Sequence, residues 1–164
     1  MLKPPTLLDN KMELDGFDSG NQILDSWLKR HAIQANGSGS ARTYVVCDDD
    51  LPVGFYSLAP GSVDPTDVSE RVSKGMGKHP IPVIVLARMA VRKDYQGKRI
   101  GSGMLKDAIK RSLAAAGDIG GRAILTHPID ENAASFYINY GFEKSPLRDD
   151  QLLLLLKDAK KLFK

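Results

Sequence analysis

The alternation of apolar and polar residues along the chain predicts both strands and helices. Apolar runs at Thr43–Asp48, Pro52–Ala59 and Val83–Val91 predict three consecutive strands, the first two joined by an acidic turn. The third run, VIVLARMAV, is apolar except for Arg88, as is typical of a strand buried on both faces. We therefore expect it at the centre of a sheet.

Apolar residues at helical spacing predict three longer helices. The first begins at Asp18 or Ser19, whose side-chain oxygens suit an N-cap, and ends before a flexible break at residues 36–40 (NGSGS). The second covers Gly101–Ala116 and the third Glu131–Tyr140. Each of the last two follows an apolar strand, which is typical of α/β proteins.

Shorter stretches complete the predicted sheet. A first strand starts within Leu7–Phe17, another covers Arg122–Pro128, and the segments GFEKSPL and DQLLLLLKD close the chain as two strands. The polar insertion Asp64–Lys78 is predicted to contain a short helix. The order β, α, three strands, α, β, α, β, β predicts a mixed α/β fold, with residues 1–164 as one domain.

Composition narrows the class of protein. The chain has 164 residues, 42% of them hydrophobic, and no apolar run approaches the roughly 18 residues of a membrane span. Residues 1–16 lack the apolar core of an export signal, and the single cysteine, Cys47, excludes a disulfide framework. We expect a cytoplasmic protein with no membrane partner, in which Cys47 is a buried strand residue.

The basic residues are distributed unevenly. The net charge is only +3, from 23 basic and 20 acidic residues. The bases concentrate at Lys29–Arg30, Lys74–Lys78, Arg88–Lys93 and Lys98–Arg99. These clusters are compatible with a basic face on a nearly neutral protein, and equally with scattered, solvated side chains.

A glycine-rich segment, DYQGKRIGSGM (Asp94–Met104), separates the central strand from a helix. The N-terminus of a helix presents unpaired N–H groups and partial positive charge, and small residues before it let phosphate oxygens approach. Lys98 and Arg99 add charge. The segment fits neither the Walker loop nor the dinucleotide fingerprint. It predicts a phosphate cradle, and a glycine-rich turn without a ligand is the alternative.

Two motifs resemble those of the GNAT superfamily of N-acetyltransferases. LARMAVRKDYQGKRIGSGML is similar to its loop signature [QR]-x-x-G-x-[GA], with Gln96 in the first position and Gly101 in the last. ENAASFYINYGFEKSPL resembles its second segment, whose positions Asn132, Tyr137, Gly141 and Phe142 fill. The resemblance implies an acetyl-CoA-dependent N-acetyltransferase. It also implies a central mixed sheet of about six or seven strands, splayed at the middle and flanked by about four helices.

The same resemblance assigns roles to individual residues and implies no metal. The backbone of Met89, Ala90 and Val91 would pair with the pantetheine arm of acetyl-CoA, and Asn132 would contact that arm. Tyr137 would face the thioester sulfur as general acid, because a phenol with a pKa near 10 is protonated at neutral pH. A core aromatic beside Phe136 is the alternative. The residues implied to hold the pyrophosphate are Gln96, Gly97, Lys98, Arg99, Ile100, Gly101 and Ser102.

Arg99 departs from the family pattern, because it stands where the inner glycine is usual. Three interpretations remain open. The side chain blocks the phosphate or forces a φ value that favours glycine. Its guanidinium reaches a phosphate and compensates. Alternatively, Arg99 silences a harmful enzyme.

Candidates for a general base are Glu70, Asp94 and His127, and nothing in the sequence distinguishes any of them. This favours an α-amine as acceptor. An α-amino group with a pKa near 8 is partly neutral already, whereas a lysine side chain, at about 10.4, needs help to lose its proton.

Four segments resemble one subgroup of the superfamily, the acetyltransferase toxins of bacterial type II toxin–antitoxin systems. They are DSGNQILDSWLKRHAIQA, SARTYVV, GFYSLAPGSV and VIVLARMAVRKDYQG. The resemblance implies a homodimer that acetylates the α-amino group of aminoacyl-tRNA, blocks translation and is neutralised by a ribbon-helix-helix antitoxin. A GNAT enzyme for a small amine or a protein N-terminus is the alternative, as is a silenced form.

On this interpretation the basic clusters bind tRNA phosphates, which makes the affinity sensitive to salt. Arg88 is the strongest candidate, because a charge within a central apolar strand is costly to bury without a partner. A salt bridge to an internal acid is the alternative for it. The expected tRNA contacts are Lys29, Arg30, Arg42, Lys74, Lys78, Arg88, Arg92 and Lys93.

Overall fold

The computed structural model describes residues 1–163, and over that range it contains seven strands and six α-helices. The strands are β1 (Thr6–Leu7), β2 (Arg42–Asp48), β3 (Leu51–Val63), β4 (Ile81–Val91), β5 (Ala123–Thr126), β6 (Glu143–Ser145) and β7 (Arg148–Leu155). The helices are α1 (Gln22–Arg30), α2 (Ala32–Ser38), α3 (Glu70–Ser73), α4 (Ile100–Ile119), α5 (Glu131–Asn139) and α6 (Leu156–Ala159). No helix in this range is long and apolar enough to cross a membrane.

The strands described form one mixed sheet in the order β1-β2-β3-β4-β5-β7-β6. β2 pairs antiparallel with both β1 and β3, and β7 pairs antiparallel with both β5 and β6. β4 and β5 are parallel, and their register ends where Leu86 pairs with Thr126. β4 then continues to Val91, whereas β5 ends at Thr126. The predicted mixed sheet is confirmed.

The first helix starts later than the sequence predicted. Its N-cap is Asn21, whose Oδ1 accepts a hydrogen bond from the Leu24 N–H (3.0 Å). Asp18 and Ser19 were wrong as caps, because both are engaged in the preceding turn. Asp18 accepts from the Gly20 N–H (2.9 Å), and the Ser19 hydroxyl donates to the buried Asp25 (2.6 Å).

Two other segments also differ from the predictions. Residues 36–38 of the expected flexible break belong to α2, which ends at Gly39 with φ 81°. The first strand is limited to Thr6–Leu7, because the chain after it turns so that Leu8 and Phe17 enter a core. The short helices α2 and α6 raise the helix number above the four expected.

The contacts group the described chain into two compact units. The first contains residues 1–59 and 87–108, and its core includes Phe17, Leu28 and Phe55. Cys47 is buried there as predicted, and burial raises the pKa of its thiol, which disfavours the reactive thiolate. The second contains residues 60–86 and the chain from Ile109 onward. Its core includes Ile81, Val83, Ala123, Leu125 and Leu153.

Candidate active site

The glycine-rich loop is tied to the end of β4 by the side chain of Gln96. Its Nε2 donates hydrogen bonds to the carbonyl oxygens of Val91 (2.9 Å) and Ser19 (3.0 Å). A primary amide has two N–H donors, so both are used. The side chain that the resemblance placed among the pyrophosphate contacts therefore braces the loop, and the Gln96 backbone N–H donates to the Lys93 carbonyl oxygen (3.3 Å).

Beyond Gln96 the loop is exposed and open. Gly97 has φ 82°, and a Cβ built on Gly97 or Gly103 would meet no described heavy atom within 4 Å outside its chain neighbours. Ile100 is buried (6% exposed) and anchors the first turn of α4. The first N–H groups of a helix lack intrahelical acceptors and carry partial positive charge. This loop therefore fits an anion such as a pyrophosphate.

Arg99 adopts φ 65°, in the left-handed region that favours glycine. Its carbonyl oxygen accepts the hydrogen bond of the Gly103 N–H (3.1 Å), so Arg99 takes part in the first turn of α4. The expectation that this position requires a glycine-like φ is confirmed. The side chain is exposed and, within residues 1–163, has no hydrogen-bond or ion-pair partner. The backbone at Arg99 thus has a conformation that glycine adopts without strain.

A polar network supports the loop from the side of β2. The Lys98 ammonium lies 4.8 Å from the centroid of the Tyr95 ring, and the Tyr95 hydroxyl donates to Asp48 (2.6 Å). The N-terminal ammonium of Met1 also donates to Asp48 (2.7 Å). Hydrogen bonds from that ammonium and then from Tyr95 hold the pKa of Asp48 below its usual value. The carboxylate therefore stays charged and fixes the ring beneath Lys98.

Tyr137 lies in a buried aromatic setting on α5. It is 7% exposed, and its ring centroid lies 5.3 Å from that of Phe136 and 5.4 Å from that of Phe142. Burial raises the pKa of Tyr137 to about 12, and a hydrogen bond with Thr126 opposes part of the rise. The phenol is consequently protonated at neutral pH, as a general acid must be. Its packing also makes it part of the core.

Thr126 is a polar residue that sequence reasoning missed. It ends β5, is 2% exposed, and donates its hydroxyl proton to the carbonyl oxygen of Leu86 (2.9 Å). Because no motif includes it, the only signal in the sequence was a polar residue closing an apolar strand. Asn132 lies exposed in the first turn of α5, after the N-cap Asp130, which accepts from the Ala133 N–H (2.8 Å).

The predicted cofactor residues thus form two groups. Met89–Val91 and Gln96–Ser102 belong to the first unit, at the end of β4 and the start of α4. Asn132 and Tyr137 belong to the second, together with Thr126. The first group includes the open helix N-terminus that fits an anion, and the second includes the buried, protonated phenol.

Four of the predicted tRNA contacts are exposed cations. Their side chains have no ion-pair or hydrogen-bond partner within the part of the chain that the structure describes. Exposed, unpaired cations can bind phosphates without first breaking an internal ion pair. These residues are Lys29, Arg30, Lys74 and Lys78.

Three other predicted tRNA contacts have partners inside the chain, which sequence reasoning did not anticipate. Arg42 supports the last turn of α2, and the other two cations contact exposed carboxylates. The pairs are Arg42 Nη1 with the Asn36 carbonyl oxygen (2.6 Å), Arg92 Nε with Asp94 (3.0 Å) and Lys93 Nζ with Asp18 (3.6 Å).

Arg88 lies on the face of an aromatic ring. Its guanidinium carbon is 3.8 Å from the ring centroid of Trp27, which itself stacks on Phe55 with centroids 6.4 Å apart. The alternative of an internal salt bridge is wrong, since Arg88 has no carboxylate partner among residues 1–163. Partial burial lowers the pKa of Arg88. The result is a stacked, partly desolvated cation with free N–H donors.

Two arginines, Arg122 and Arg71, hold the polar insertion Asp64–Lys78 in place through hydrogen bonds and an ion pair. The Arg122 guanidinium donates to the carbonyl oxygens of Arg71 (2.8 Å), Val72 (2.9 Å) and Lys74 (3.3 Å), at the end of α3. Arg71 in turn binds Asp158 through Nη2 (2.9 Å). The predicted short helix in the insertion is confirmed, and these contacts hold the basic stretch Lys74–Lys78 in place.

The structure does not favour any one of the three candidates for a general base. Glu70 and His127 are exposed, and Asp94 forms an exposed ion pair with Arg92. A carboxylate or imidazole in water lacks the burial that tunes a catalytic base.

The family can be assigned by comparison with known proteins. The family model described as "Acetyltransferase (GNAT) domain" matches residues 39–144, which contain the loop, β4 and Tyr137. The chain belongs to the GNAT acetyltransferase family. It is also 42% identical over 159 residues to the "tRNA-acetylating toxin" of Mycobacterium tuberculosis strain H37Rv, a match that covers 97% of this chain and 95% of that protein.

Solved structures show the same GNAT fold. AtaT complexed with acetyl-methionyl-tRNAfMet matches with a TM-score of 0.91 and 22% identity, over 100% of both chains. A tyrosine-to-phenylalanine mutant of AtaT bound to the C-terminus of the antitoxin AtaR and acetyl-CoA matches with a TM-score of 0.84 and 22% identity. That match covers 99% of this chain and 98% of the other. The predicted fold and the predicted class, an acetyl-CoA-dependent acetyltransferase, are confirmed.

Proposed function

We propose that this GNAT acetyltransferase moves the acetyl group of acetyl-CoA to the α-amino group of an aminoacyl-tRNA and thereby blocks translation. The observation that carries the proposal is the 42% identity, across 97% of the chain, to a tRNA-acetylating toxin. The fold shared with AtaT in its tRNA complex supports it.

The start of α4 holds the pyrophosphate of acetyl-CoA. Its free N–H groups and the exposed Lys98 supply positive charge, and Gly97 leaves room for the phosphate oxygens. Arg99 contributes through its backbone, which has the glycine-like φ that the loop needs. The strand end Met89–Val91 pairs with the pantetheine arm, which Asn132 also contacts.

Tyr137 protonates the leaving group. The neutral amine attacks the thioester carbon, so a C–N bond forms while the C–S bond breaks and its electron pair stays on sulfur. The Tyr137 hydroxyl gives its proton to that thiolate, and the proton released by the nitrogen restores the phenol through solvent. Backbone N–H groups of β4 stabilise the oxyanion that develops on the carbonyl oxygen.

An α-amino acceptor suits a site whose base candidates are all exposed. An α-amine with a pKa near 8 is already partly neutral at physiological pH, so the fraction that attacks needs no base to activate it, and water can take the proton that the nitrogen releases after attack. A lysine side chain would be almost wholly charged there. The structure supports this choice by placing Glu70, Asp94 and His127 at the surface.

The basic clusters bind the tRNA. Arg88 and the free cations Lys29 and Arg30 belong to one unit, in which α1 carries both Trp27 and the two cations. Lys74 and Lys78 belong to the other, on the insertion fixed by Arg122. We include Arg42, Arg92 and Lys93 as weaker contacts, because each must give up or share an internal partner.

The remaining parts of the proposal concern partners. We infer that the chain is the toxin of a toxin–antitoxin pair, forms a homodimer in the cytoplasm and is neutralised by a ribbon-helix-helix antitoxin. Support comes from the shared fold with AtaT bound to the C-terminus of AtaR.

The test is an acetylation assay with labelled acetyl-CoA and total aminoacylated tRNA. We expect label on tRNA that is released by mild ester hydrolysis as acetyl-amino acid. Tyr137→Phe should lower the rate by at least 100-fold, the usual scale of general acid catalysis. Tyr140→Phe is the matched control, since it changes the neighbouring tyrosine that contacts Phe136.

Other results would exclude this function. Label on polyamines or on protein N-termini, with none on tRNA, would identify a GNAT enzyme for those amines. Label on tRNA only after Arg99→Gly would identify the natural chain as a silenced form.

A further inference from the structure

We propose that Tyr95 and Asp48 are positioning residues for acetyl-CoA: Asp48 orients the Tyr95 ring, and the ring holds the Lys98 ammonium for the pyrophosphate. This inference deepens the proposed function and rests on its pyrophosphate site at the start of α4. Neither Tyr95 nor Asp48 was among the predicted cofactor residues, and both belong to the first unit together with Lys98.

The charge of Lys98 lies at the end of α4 where a cation is least favourable. Lys98 is two residues before Ile100, with which α4 begins, and the N-terminus of a helix carries partial positive charge. The exposed side chain also loses conformational entropy when it is fixed in one place. Within residues 1–163 the ammonium has no hydrogen-bond or ion-pair partner, so a contact of another kind holds it.

The ring of Tyr95 supplies that contact. The Lys98 ammonium lies 4.8 Å from the ring centroid, within the roughly 6 Å over which an aromatic face attracts a cation. The face attracts the charge without accepting the ammonium N–H groups as a carboxylate would. These donors therefore remain available for phosphate oxygens, whereas a carboxylate in the same place would compete with the phosphate.

The ring of Tyr95 is itself fixed at both ends. Its backbone ends the short 3₁₀-helix Lys93–Tyr95, in which the Tyr95 N–H donates to the Arg92 carbonyl oxygen (2.9 Å). Its hydroxyl donates to Asp48 (2.6 Å), the last residue of β2. Because Asp48 belongs to the sheet, this hydrogen bond ties the outer end of the ring to the sheet of the first unit.

Calorimetric titration with acetyl-CoA tests the role without any amine acceptor. Lys98→Gln removes the ammonium and should raise the Kd by about tenfold, the scale of a charge-assisted hydrogen bond. Tyr95→Leu removes the ring and should raise the Kd by about three- to fivefold, the scale of an exposed cation–π contact. Tyr95→Phe keeps the ring but releases it from Asp48, so its Kd should lie between those of the wild type and Tyr95→Leu.

A double-mutant comparison tests whether Tyr95 acts through Lys98. In the Lys98→Gln background, Tyr95→Leu should change the Kd by less than about twofold, because the ring then has no ammonium to hold. Equal losses in both backgrounds would overturn the role, since they would mean that removing the ring disturbs the loop itself. A Kd for Tyr95→Phe equal to that of the wild type would overturn the part assigned to Asp48. Melting temperatures show that the compared proteins are folded.

Lys3→Gln is the matched control for charge. Lys3 forms an exposed ion pair with Asp50 (3.8 Å) and is not among the predicted cofactor or tRNA contacts. The Kd for acetyl-CoA should stay within about twofold of the wild type. Equal losses for Lys3→Gln and Lys98→Gln would overturn the role, because they would mean that only net charge matters.

The failures of this inference and of the proposed function can be told apart. Unchanged Kd values in the Tyr95 and Lys98 variants, beside labelled tRNA from the wild type, overturn the inference and leave the proposed function intact. The expected Kd pattern beside label on another amine overturns only the choice of tRNA as acceptor. Absence of acetyl-CoA binding by the wild type overturns both.

Discussion

The guanidinium of Arg88 stacks on the indole of Trp27, 3.8 Å from its ring centroid, at the point where the sequence places a charge in an otherwise apolar strand. Stacking stabilises the partly buried cation without neutralising it, because an aromatic face attracts charge but does not use the guanidinium N–H donors. Arg88 is therefore held in one orientation and remains able to bind a phosphate.

We expect Arg88→Gln to weaken tRNA binding by about tenfold at low salt and to reduce the slope of log K against log salt concentration by roughly 0.7 to 0.9. Arg88→Lys keeps the charge but not the planar stacked fork, so the slope should persist with a smaller loss of affinity. Filter binding with total tRNA across a salt series measures both quantities.

Arg148→Gln is the matched control for charge. Arg148 forms an exposed ion pair with Asp150 (3.2 Å) and is not among the predicted tRNA contacts. Its removal should leave the salt slope unchanged. Equal slopes for Arg88→Gln and Arg148→Gln would mean that only net charge matters, and Arg88 would lose its specific role.

The backbone of Arg99 is strained. Its φ of 65° costs about 1–2 kcal/mol in a residue with a Cβ, while glycine loses about 0.5–1 kcal/mol through its more flexible unfolded state. We expect Arg99→Gly to change the free energy of unfolding by between about 0 and +1.5 kcal/mol, which a urea titration measures.

Arg99→Ala distinguishes the backbone of Arg99 from its guanidinium, since alanine keeps the strain and removes the charge. Because the proposed contribution of Arg99 to the loop is its backbone conformation, we expect acetyl-CoA to bind both variants within about threefold of the wild type. A loss above tenfold in both, measured by calorimetry, would instead show that the guanidinium binds a phosphate.

We expect Gln96 to stabilise the glycine-rich loop through the two N–H donors of its side-chain amide. Glutamate at this position would direct an acceptor at the carbonyl oxygens of Val91 and Ser19, so Gln96→Glu should weaken acetyl-CoA binding by about tenfold and lower the melting temperature. Gln96→Arg retains N–H donors and should bind within about threefold. Equal affinities for the two variants would contradict the bracing role.

Most of the fold could be predicted from local patterns in the sequence. The apolar run that contains Arg88 identified the central strand, and Gln96 with Gly101 identified the loop, because these signals lie within about 20 residues of one another. Helix caps were harder to predict from the sequence. Asn21 caps α1 because Asp25 engages Ser19 in the folded chain, a competition that spacing alone does not reveal.

The contacts that shape the site chemistry join distant segments. No local pattern pairs Trp27 with Arg88, because the two residues lie far apart along the chain and meet only when it folds. Thr126 likewise gave no signal, because its hydroxyl bonds to the carbonyl oxygen of Leu86, 40 residues earlier in the chain. Pairings of this kind follow from sheet register and helix packing, which propensity and periodicity do not specify.

The buried phenol of Tyr137 should make the protein sensitive to alkali. Its pKa is raised to about 12 by burial, while an unfolded tyrosine titrates near 10. Between these values the unfolded chain has lost the proton and the folded chain has kept it, so the unfolded state binds fewer protons and stability falls as pH rises. The contribution is fully present below pH 10 and is lost by about pH 12, with a size of about 2–3 kcal/mol.

Tyr137→Phe lacks this titration and provides the comparison. We expect the free energy of unfolding of the wild type to fall more steeply than that of the variant between pH 10 and 11.5, when both are measured by urea titration at matched ionic strength. Parallel curves would show that the phenol titrates alike in the folded and unfolded chains. In that case Tyr137 would be accessible to water in the folded chain.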